Sequence, residues 1–216
     1  MNHPDSRSIV NLSLGELLER LGSSAPTPGG GAAAAVVGAI GAALVQMTAN
    51  LSLGRPKLAN VEERARAIEA RVSRLRQRLA ELAEADAEAF EKVSAAYKLP
   101  RHDDSHQAAR SLAIQLALQA AASVPLETAR VCSEVLRVAE EAAPVLNRNV
   151  ISDVLVGALL AQAALESAAL NVEINLAATT DPSAVERDSR ELDRARSGAA
   201  ERVARVLDVG RSRLRK

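Results

Sequence analysis

An aspartate interrupts the apolar face of a long stretch with helical periodicity. At about 100° per residue, Asp86 lies on the apolar stripe of this stretch, one turn before Phe90. The other members of the stripe are Ile68, Val72, Leu75, Leu79, Leu82, Val93 and Tyr97. Glu81, Glu84, Glu88 and Glu91 lie on the opposite side, which we expect to face solvent. A carboxylate among apolar neighbours ionises less readily, which suits it to proton transfer or to stabilising a cation.

Two interpretations of Asp86 remain open at this point. It is either a core aspartate that caps a helix or pairs with a buried arginine, or a carboxylate in a dry cleft. The second interpretation places it beside Phe90 and Tyr97, which are the only phenylalanine and the only tyrosine of the chain.

A second group of polar residues follows one side of another predicted helix. Asp153 and Asn171 share this side and are flanked by Asn149 and Asn175. Asp153 and Asn171 are five helical turns apart, about 27 Å, so one small ligand cannot touch both within one subunit. Either the asparagines are structural and form hydrogen bonds between helices, or two sites or two subunits are involved.

Three consecutive glycines, Gly29, Gly30 and Gly31, precede an uncharged run of small residues that extends to Met47. Its alanines and glycines contribute little to membrane insertion. A phosphate-binding loop would need a lysine and a hydroxyl residue after the glycines, and a dinucleotide site would need a preceding strand. We therefore predict a buried, closely packed helix whose glycine-rich start exposes backbone N–H groups to a ligand.

The remaining composition excludes several classes of function. Basic and acidic residues balance at 27 each and aromatic residues make up 1%, so neither a basic field nor stacking platforms indicate nucleic-acid binding. The single cysteine, Cys132, suits a reducing cytoplasm. The start of the chain, Met1 to Asp5, lacks the pattern of a signal peptide. His102 and His106 flank a loop with a helix cap, so we predict no metal site.

Helical periodicity dominates the whole chain, and no segment alternates for long enough to predict a strand. We predict one all-α domain, residues 1–216, which is a bundle of about six helices without an interdomain linker. The predicted helices cover residues 13–21, 30–54, 61–97, 105–142, 149–179 and a charged tail within 181–216. Pro125 is expected to kink the fourth helix or to restart it at Ser123.

Four stretches, taken together, resemble the cyclodeaminase domain of the formiminotransferase-cyclodeaminase family and its stand-alone cyclohydrolase relatives. They are "SAPTPGGGAAAAVVGAIGAAL" (residues 24–44), "ADAEAFEKVSAAYKLPR" (85–101), "SVPLETA" (123–129) and "NRNVISDVLVGALLAQAALESAALNVEIN" (147–175). They occur in the family's order, and the resemblance extends over residues 12–179. Residues 181–216 carry no motif of the family, and Arg101 stands where lysine is more usual.

The resemblance implies a dimer that binds a folate in a cleft at or near the subunit interface. It implies chemistry at the carbon that bridges N5 and N10 of tetrahydrofolate, either deamination of a formimino group or hydrolysis of a methenyl group. Neither reaction requires a metal or redox cofactor, and both require an acid and a base. A folate-binding or scaffold protein without catalysis remains the alternative.

On this resemblance, Asp86 and Asp153 are the expected catalytic carboxylates. One should pair with the pterin and the other should act as base or electrostatic partner, and their assignment stays open. Backbone groups of the three glycines should line the cleft, Tyr97 should stack on a ring, and Lys98 and Arg101 should bind the glutamate tail. Arg55 and Lys57 are second choices for the tail. Asn149 and Asn171 complete the predicted binding residues.

Overall fold

The computed structural model describes residues 8–215, and these residues form an all-α bundle that contains no strand. Seven α-helices follow one another: α1 (Leu14–Leu21), α2 (Gly30–Asn50), α3 (Glu62–Tyr97), α4 (Asp104–Ala142), α5 (Ile151–Ala177), α6 (Pro182–Arg196) and α7 (Ala199–Leu214). Short 3-10 helices cover Ile9–Asn11, Pro56–Val61 and Arg148–Val150. The all-α prediction is confirmed.

Helices α2 and α5 are antiparallel and touch through their backbones. A Cβ atom placed on Gly41 would lie 2.7 Å from the Gly157 carbonyl oxygen, and one placed on Gly157 would lie 2.7 Å from the Gly41 oxygen. Gly30 lies beside Asn171 at one end, and the Thr48 hydroxyl donates to the Val150 carbonyl at the other (3.3 Å). The start of α2 and the end of α5 therefore meet at the same end of the bundle.

Helices α3 and α4 pack with α2 and α5 around a core of alanine, valine and leucine. Gly38 of α2 faces Leu79 of α3 and Cys132 of α4, where a Cβ atom would lie 2.8 Å from the cysteine sulfur. The small residues of α2 thus bring three neighbouring helices close to its axis. This confirms the predicted close packing of this helix.

Helix α4 does not restart at Pro125, which lies inside a continuous helix and is buried. Of the two predicted outcomes at this proline, the restart is wrong because α4 continues through it, and the kink stays a prediction. The Ser123 hydroxyl donates to the Ala120 carbonyl within this turn (2.7 Å).

The charged tail is two helices rather than one. Gly198 has φ +69°, in the left-handed region that favours glycine, and it separates α6 from α7. Helix α7 packs on α5 and α4, and Arg202 and Arg205 bond to Glu140 of α4 (2.9 and 2.6 Å). The tail therefore covers the outside of the bundle.

Glu84 differs from the predicted solvent-facing glutamates of α3. Its carboxylate is half-buried and accepts hydrogen bonds from the Val10 N–H (2.9 Å) and the Ser8 hydroxyl. It thereby attaches the first described segment to α3. Residues Met1 to Asp5, on which the prediction of no signal peptide depends, lie outside the described residues.

By length and composition, the segments Gly30–Asn50 and Arg148–Ala177 could each cross a membrane. In the most apolar 18-residue stretch of each segment, 50% and 44% of the residues, respectively, are buried inside the bundle. Burial of these halves agrees with the predicted core helices, and the absence of a membrane partner stays a prediction.

We predict that Gly41→Ala lowers the free energy of unfolding by about 1–3 kcal/mol or more, because the new methyl group overlaps the Gly157 carbonyl. Denaturant unfolding followed by circular dichroism measures the change. Gly15→Ala in α1 is the matched control, since a Cβ atom there meets nothing within 4 Å. It should be neutral or stabilising by up to about 1 kcal/mol. Equal stability of the Gly41→Ala variant and the wild type would refute the close helix contact.

Candidate active site

A cavity of about 360 Å³ opens where the start of α2 meets α3, α4 and the end of α5. This volume is at the lower end of the range of ligand-binding pockets, roughly 300–1,000 Å³. The residues that line it include Gly29, Gly30, Gly31, Asp86, Phe90 and Asn171, with Pro26, Thr27, Ala89, Val93, Leu118, Ala121, Ile174, Asn175 and Ala178. The structure therefore brings together five of the predicted site residues, from three separate segments of the chain.

The Asp86 carboxylate lies against the first turn of α2. Gly29, the residue before this helix, has no side chain to cap it, and the Ala32 N–H instead donates to Asp86. A Cβ atom on Gly31 would overlap the Asp86 carboxylate. Glycine at this position is therefore what allows the carboxylate to reach the helix terminus.

Burial raises the pKa of the Asp86 carboxyl above its ordinary value of 3.8, and the hydrogen bond from Ala32 lowers the pKa by less. Among the described residues no ion pair involves Asp86, so no basic side chain neutralises it. Asp86 is thus a helix cap, as one interpretation held, and at the same time a carboxylate on the wall of an open cavity.

Two asparagines present acceptors on the opposite wall. The Asn171 amide donates to the Ser167 carbonyl (2.9 Å), and the Asn175 amide donates to the Asn171 carbonyl (2.8 Å). Both bonds lie within α5, so the predicted hydrogen bonds between helices are not formed. In residues 8–215 neither side-chain oxygen has a protein partner, which leaves both free to accept from a ligand. Asn175 was not among the predicted binding residues.

Phe90 provides an apolar wall beside Asp86, where the cleft interpretation placed it, although it was not among the predicted binding residues. It lies one turn after Asp86 and is 42% exposed, so it is not the core residue that the stripe predicted. The available signal was this spacing, since residues four apart on a helix point to one side. Ile174 of α5, 69% exposed, faces the same cavity.

Tyr97, Lys98 and Arg101 lie beyond the cavity, at and after the end of α3. Tyr97 is half-exposed, its ring lies 5.7 Å from the Arg110 guanidinium, and its carbonyl accepts from the same side chain (3.0 Å). Tyr97, which the cleft interpretation placed beside Asp86, therefore does not line this cavity. The roles of Tyr97, Lys98 and Arg101 in binding stay predictions.

Asp153 and Asn149 lie at the other end of α5 from Asp86. Asp153 is half-buried in the first turn of α5, and Asn149 lines a second cavity. Asn149 and Asn171 are separated by 22 residues, or about 33 Å along a helix. No site within one chain unites these residues with Asp86, in agreement with the distance inferred from the sequence.

No group of three histidine, cysteine, aspartate or glutamate side chains suited to a metal ion occurs among residues 8–215. Asp103 accepts the His106 N–H (2.8 Å) and caps α4, as predicted. The His106 ring also contacts the Asp103 carboxylate (2.8 Å). These two residues therefore interact with each other at the start of α4.

Comparison with known proteins gives a family assignment. A sequence model described as formiminotransferase-cyclodeaminase matches residues 13–194. The chain belongs to the formiminotransferase-cyclodeaminase family. It is 42% identical over 204 residues to the methenyltetrahydrofolate cyclohydrolase of Methylorubrum extorquens, covering 94% of this chain and 98% of that protein.

Two further relatives define the extent of the likeness. Rat formimidoyltransferase-cyclodeaminase is 33% identical over 82% of this chain, which matches only 34% of the rat protein. The crystal structure of formiminotetrahydrofolate cyclodeaminase from Thermotoga maritima has a TM-score of 0.84 and 33% identity, covering 94% of this chain and 98% of that one. The family resemblance seen in the sequence is therefore confirmed, and it extends into α6.

We predict that Asp86→Asn becomes more stable relative to the wild type as pH rises. A raised pKa means that the folded state binds this proton more tightly, so ionisation of Asp86 costs folding free energy. The variant-minus-wild-type difference in unfolding free energy should increase from about pH 3.8 to the raised pKa and then level off. Urea unfolding at a series of pH values measures it.

Glu88→Gln is the matched control for this series, since it removes an exposed carboxylate from the same helix. It should not reproduce the stabilisation. A difference for Asp86→Asn that is flat over the whole pH range, or that decreases, would contradict burial as the cause of the raised pKa.

Proposed function

We propose that the chain is a methenyltetrahydrofolate cyclohydrolase, which adds water to the carbon bridging N5 and N10 and opens the ring to the formyl product. That it is an enzyme of folate one-carbon chemistry follows from its family and its named relatives. Hydrolysis is preferred over deamination because the 42% identity covers 98% of the cyclohydrolase. The observation that carries the proposal is the half-buried Asp86 carboxylate, without an ion-pair partner among residues 8–215, on the wall of the glycine-lined cavity.

Asp86 has the properties that this hydrolysis requires. The methenyl group is a cationic amidinium, and a carboxylate in a desolvated site stabilises that cation. As base, Asp86 takes a proton from the attacking water while the water oxygen bonds to the bridging carbon. As acid, it returns the proton to N5 when the N5–carbon bond breaks, and the hydroxyl group on the bridging carbon loses its proton to solvent as the formyl carbonyl forms. Its raised pKa brings proton affinity closer to neutral pH, where such transfer is efficient.

The walls of the cavity suit a flat heterocycle with polar edges. Phe90 and Ile174 supply apolar contact for the ring faces. The oxygens of Asn171 and Asn175 accept N–H groups of the kind that a pterin carries at its edge. The glycine backbone at the start of α2 lets the substrate approach without a side chain between them.

Cyclodeamination is the second candidate, favoured by the similarity to the Thermotoga maritima cyclodeaminase at TM-score 0.84. In that reaction N10 attacks the formimino carbon and ammonia leaves. It also passes through a tetrahedral carbon between nitrogens, so the same carboxylate serves it.

A two-substrate absorbance assay tests the function. We expect methenyltetrahydrofolate absorbance to decay faster with the purified chain than without it, and Asp86→Asn to lower kcat by about 10²–10⁴. Glu88→Gln should retain wild-type kcat. Appearance of methenyltetrahydrofolate from the formimino substrate would instead establish the cyclodeaminase. The enzyme proposal fails if neither rate exceeds the uncatalysed rate, and folate binding without turnover would then indicate a non-catalytic binding protein.

The chain is also proposed to form a homodimer through the outer faces of α2 and α5. Each helix exposes large apolar side chains, which include Ile40 (47% exposed), Met47, Val156, Leu159 (46%), Leu170 and Ile174. Glu166 and Glu173 of α5 lie beside these side chains and pair with Arg196. Leu160 packs on Gly41 where the helices meet, so the two faces adjoin. A second copy suits this surface because large exposed apolar patches are typical of protein interfaces, and in a two-fold dimer the same patch serves both subunits.

We predict that Ile40→Glu with Leu159→Glu converts a dimer into a monomer, since charge would be buried in the apolar interface. Light scattering at micromolar concentration measures the mass. Leu14→Glu with Leu18→Glu, on the exposed side of α1, is the matched control and should leave the dimer intact. A monomeric wild type at this concentration would contradict the proposed interface.

A further inference from the structure

A third cavity, of about 210 Å³, lies between α4 and α6. The residues that line it are Arg130, Ser133 and Arg137 of α4 and Glu191, Arg194 and Ala195 of α6. The three residues of α4 are spaced three and four apart, so they follow one face of that helix. None of the six lines the Asp86 cavity.

The hydroxyl group of Ser133 distinguishes this cavity from an ordinary groove between charged helices. Ser133 is 3% exposed, and its hydroxyl has no hydrogen-bond partner within residues 8–215. By contrast, the buried Thr128 of the same helix donates its hydroxyl to the Val124 carbonyl (3.1 Å). A buried polar group without a partner lowers stability, so a ligand that accepts from Ser133 would remove this cost.

Two arginines of the cavity have guanidinium nitrogens to spare. Arg194 forms no ion pair in the described part of the chain. Arg137 reaches Glu134 through one of its nitrogens (3.1 Å), and Glu134 is shared with Arg71 (2.7 Å). Positive charge on Arg137 and Arg194 is therefore only partly neutralised by the protein, which favours an anion beside them.

The one carboxylate that lines the cavity is already engaged. Glu191 contacts the Arg130 guanidinium, which also bonds to Glu127 (3.3 Å). Three arginines therefore line the cavity against a single paired glutamate. Guanidinium groups match the oxygens of phosphate in both charge and geometry.

We propose that Ser133, Arg137 and Arg194 bind the phosphate group of a small molecule between α4 and α6. A phosphate monoester carries a charge of about −1.5 to −2 at pH 7 and three strong acceptor oxygens, enough for one hydroxyl and two guanidinium groups. A water molecule would satisfy the hydroxyl but not the charge, and a carboxylate has one acceptor oxygen fewer. The proposal does not depend on the proposed function, because the two cavities share no residue.

A further cavity, of about 290 Å³, adjoins the proposed phosphate site. It shares Glu191 and Arg194 with that site and is also lined by Arg187 and Arg190. Both of these arginines pair with acidic residues of α6 (2.8 and 2.5 Å). This opening leaves room beside the phosphate group for the rest of a phosphorylated metabolite. The source of the phosphate is therefore either the inorganic ion or a phosphomonoester.

Calorimetric titration of the full chain at constant ionic strength measures binding, with inorganic phosphate and glycerol 3-phosphate as probes. We expect saturable binding that added chloride weakens. Arg194→Gln should raise Kd about tenfold or more, and Ser133→Ala about threefold or more, because each removes one donor to the phosphate. Arg74→Gln, which removes an exposed arginine of α3, is the charge control and should leave Kd unchanged.

The two probes distinguish the sources of the phosphate. Tighter binding of the inorganic ion would identify it as the ligand, and tighter binding of the ester would identify a phosphorylated metabolite. The proposal fails if neither probe binds saturably, or if Arg74→Gln weakens binding as much as Arg194→Gln does. It also fails if Arg55→Gln/Lys57→Gln abolishes binding, since the anion would then lie in the cavity beside Asn149.

Thermal unfolding of Ser133→Ala gives a second test. Without phosphate, the variant should have the same Tm as the wild type or a higher one, because a buried hydroxyl without a partner has been removed. Added phosphate should raise the Tm of the wild type more than that of the variant, since it binds the wild type more tightly. Equal increases in Tm for the two proteins would overturn the role of Ser133 in the site.

Discussion

The backbone contact between Gly41 and Gly157 is the constraint on which the rest of the structure depends. It fixes how closely α2 and α5 approach, and their antiparallel direction then determines which ends meet. Gly30 lies beside Asn171 because of that geometry, and α3 can then place Asp86 against the first turn of α2. A larger residue at the contact would separate the helices that form the cavity.

In the proposed function, the Asp86 carboxylate combines a structural and a chemical function in one position. It supplies the acceptor that Gly29 cannot provide to the start of α2, which compensates part of the cost of burying it. The remaining cost appears as the raised pKa and is the property that a general base near neutral pH requires. Capping and catalysis are therefore compatible interpretations, although the sequence presented them as alternatives.

The α2–α5 pair carries different chemistry along its length. One end has the half-buried Asp86 carboxylate and two amide oxygens without a partner in residues 8–215, the middle exposes apolar side chains, and the other end has four basic side chains. Asp153 and Asn149 lie toward the basic end.

The helical class, most helix positions and the grouping of Gly29, Gly30, Gly31, Asp86 and Asn171 followed from the sequence. Periodicity reports which face of a helix is buried, and a polar residue on that face is conspicuous. The family motifs in residues 24–44 and 147–175 gave the chemistry of the reaction.

Only the tertiary structure decided what depends on distances between helices. Pro125 stays within α4 and is buried there, and a local pattern contains no information about the elements that bury it. Phe90 lines the cavity while Tyr97 contacts Arg110, although both lie on one stripe, since the cavity ends between them. The convergence of Arg55, Lys57, Arg148 and Arg213 is likewise invisible in sequence, because charges far apart along the chain become neighbours only through packing.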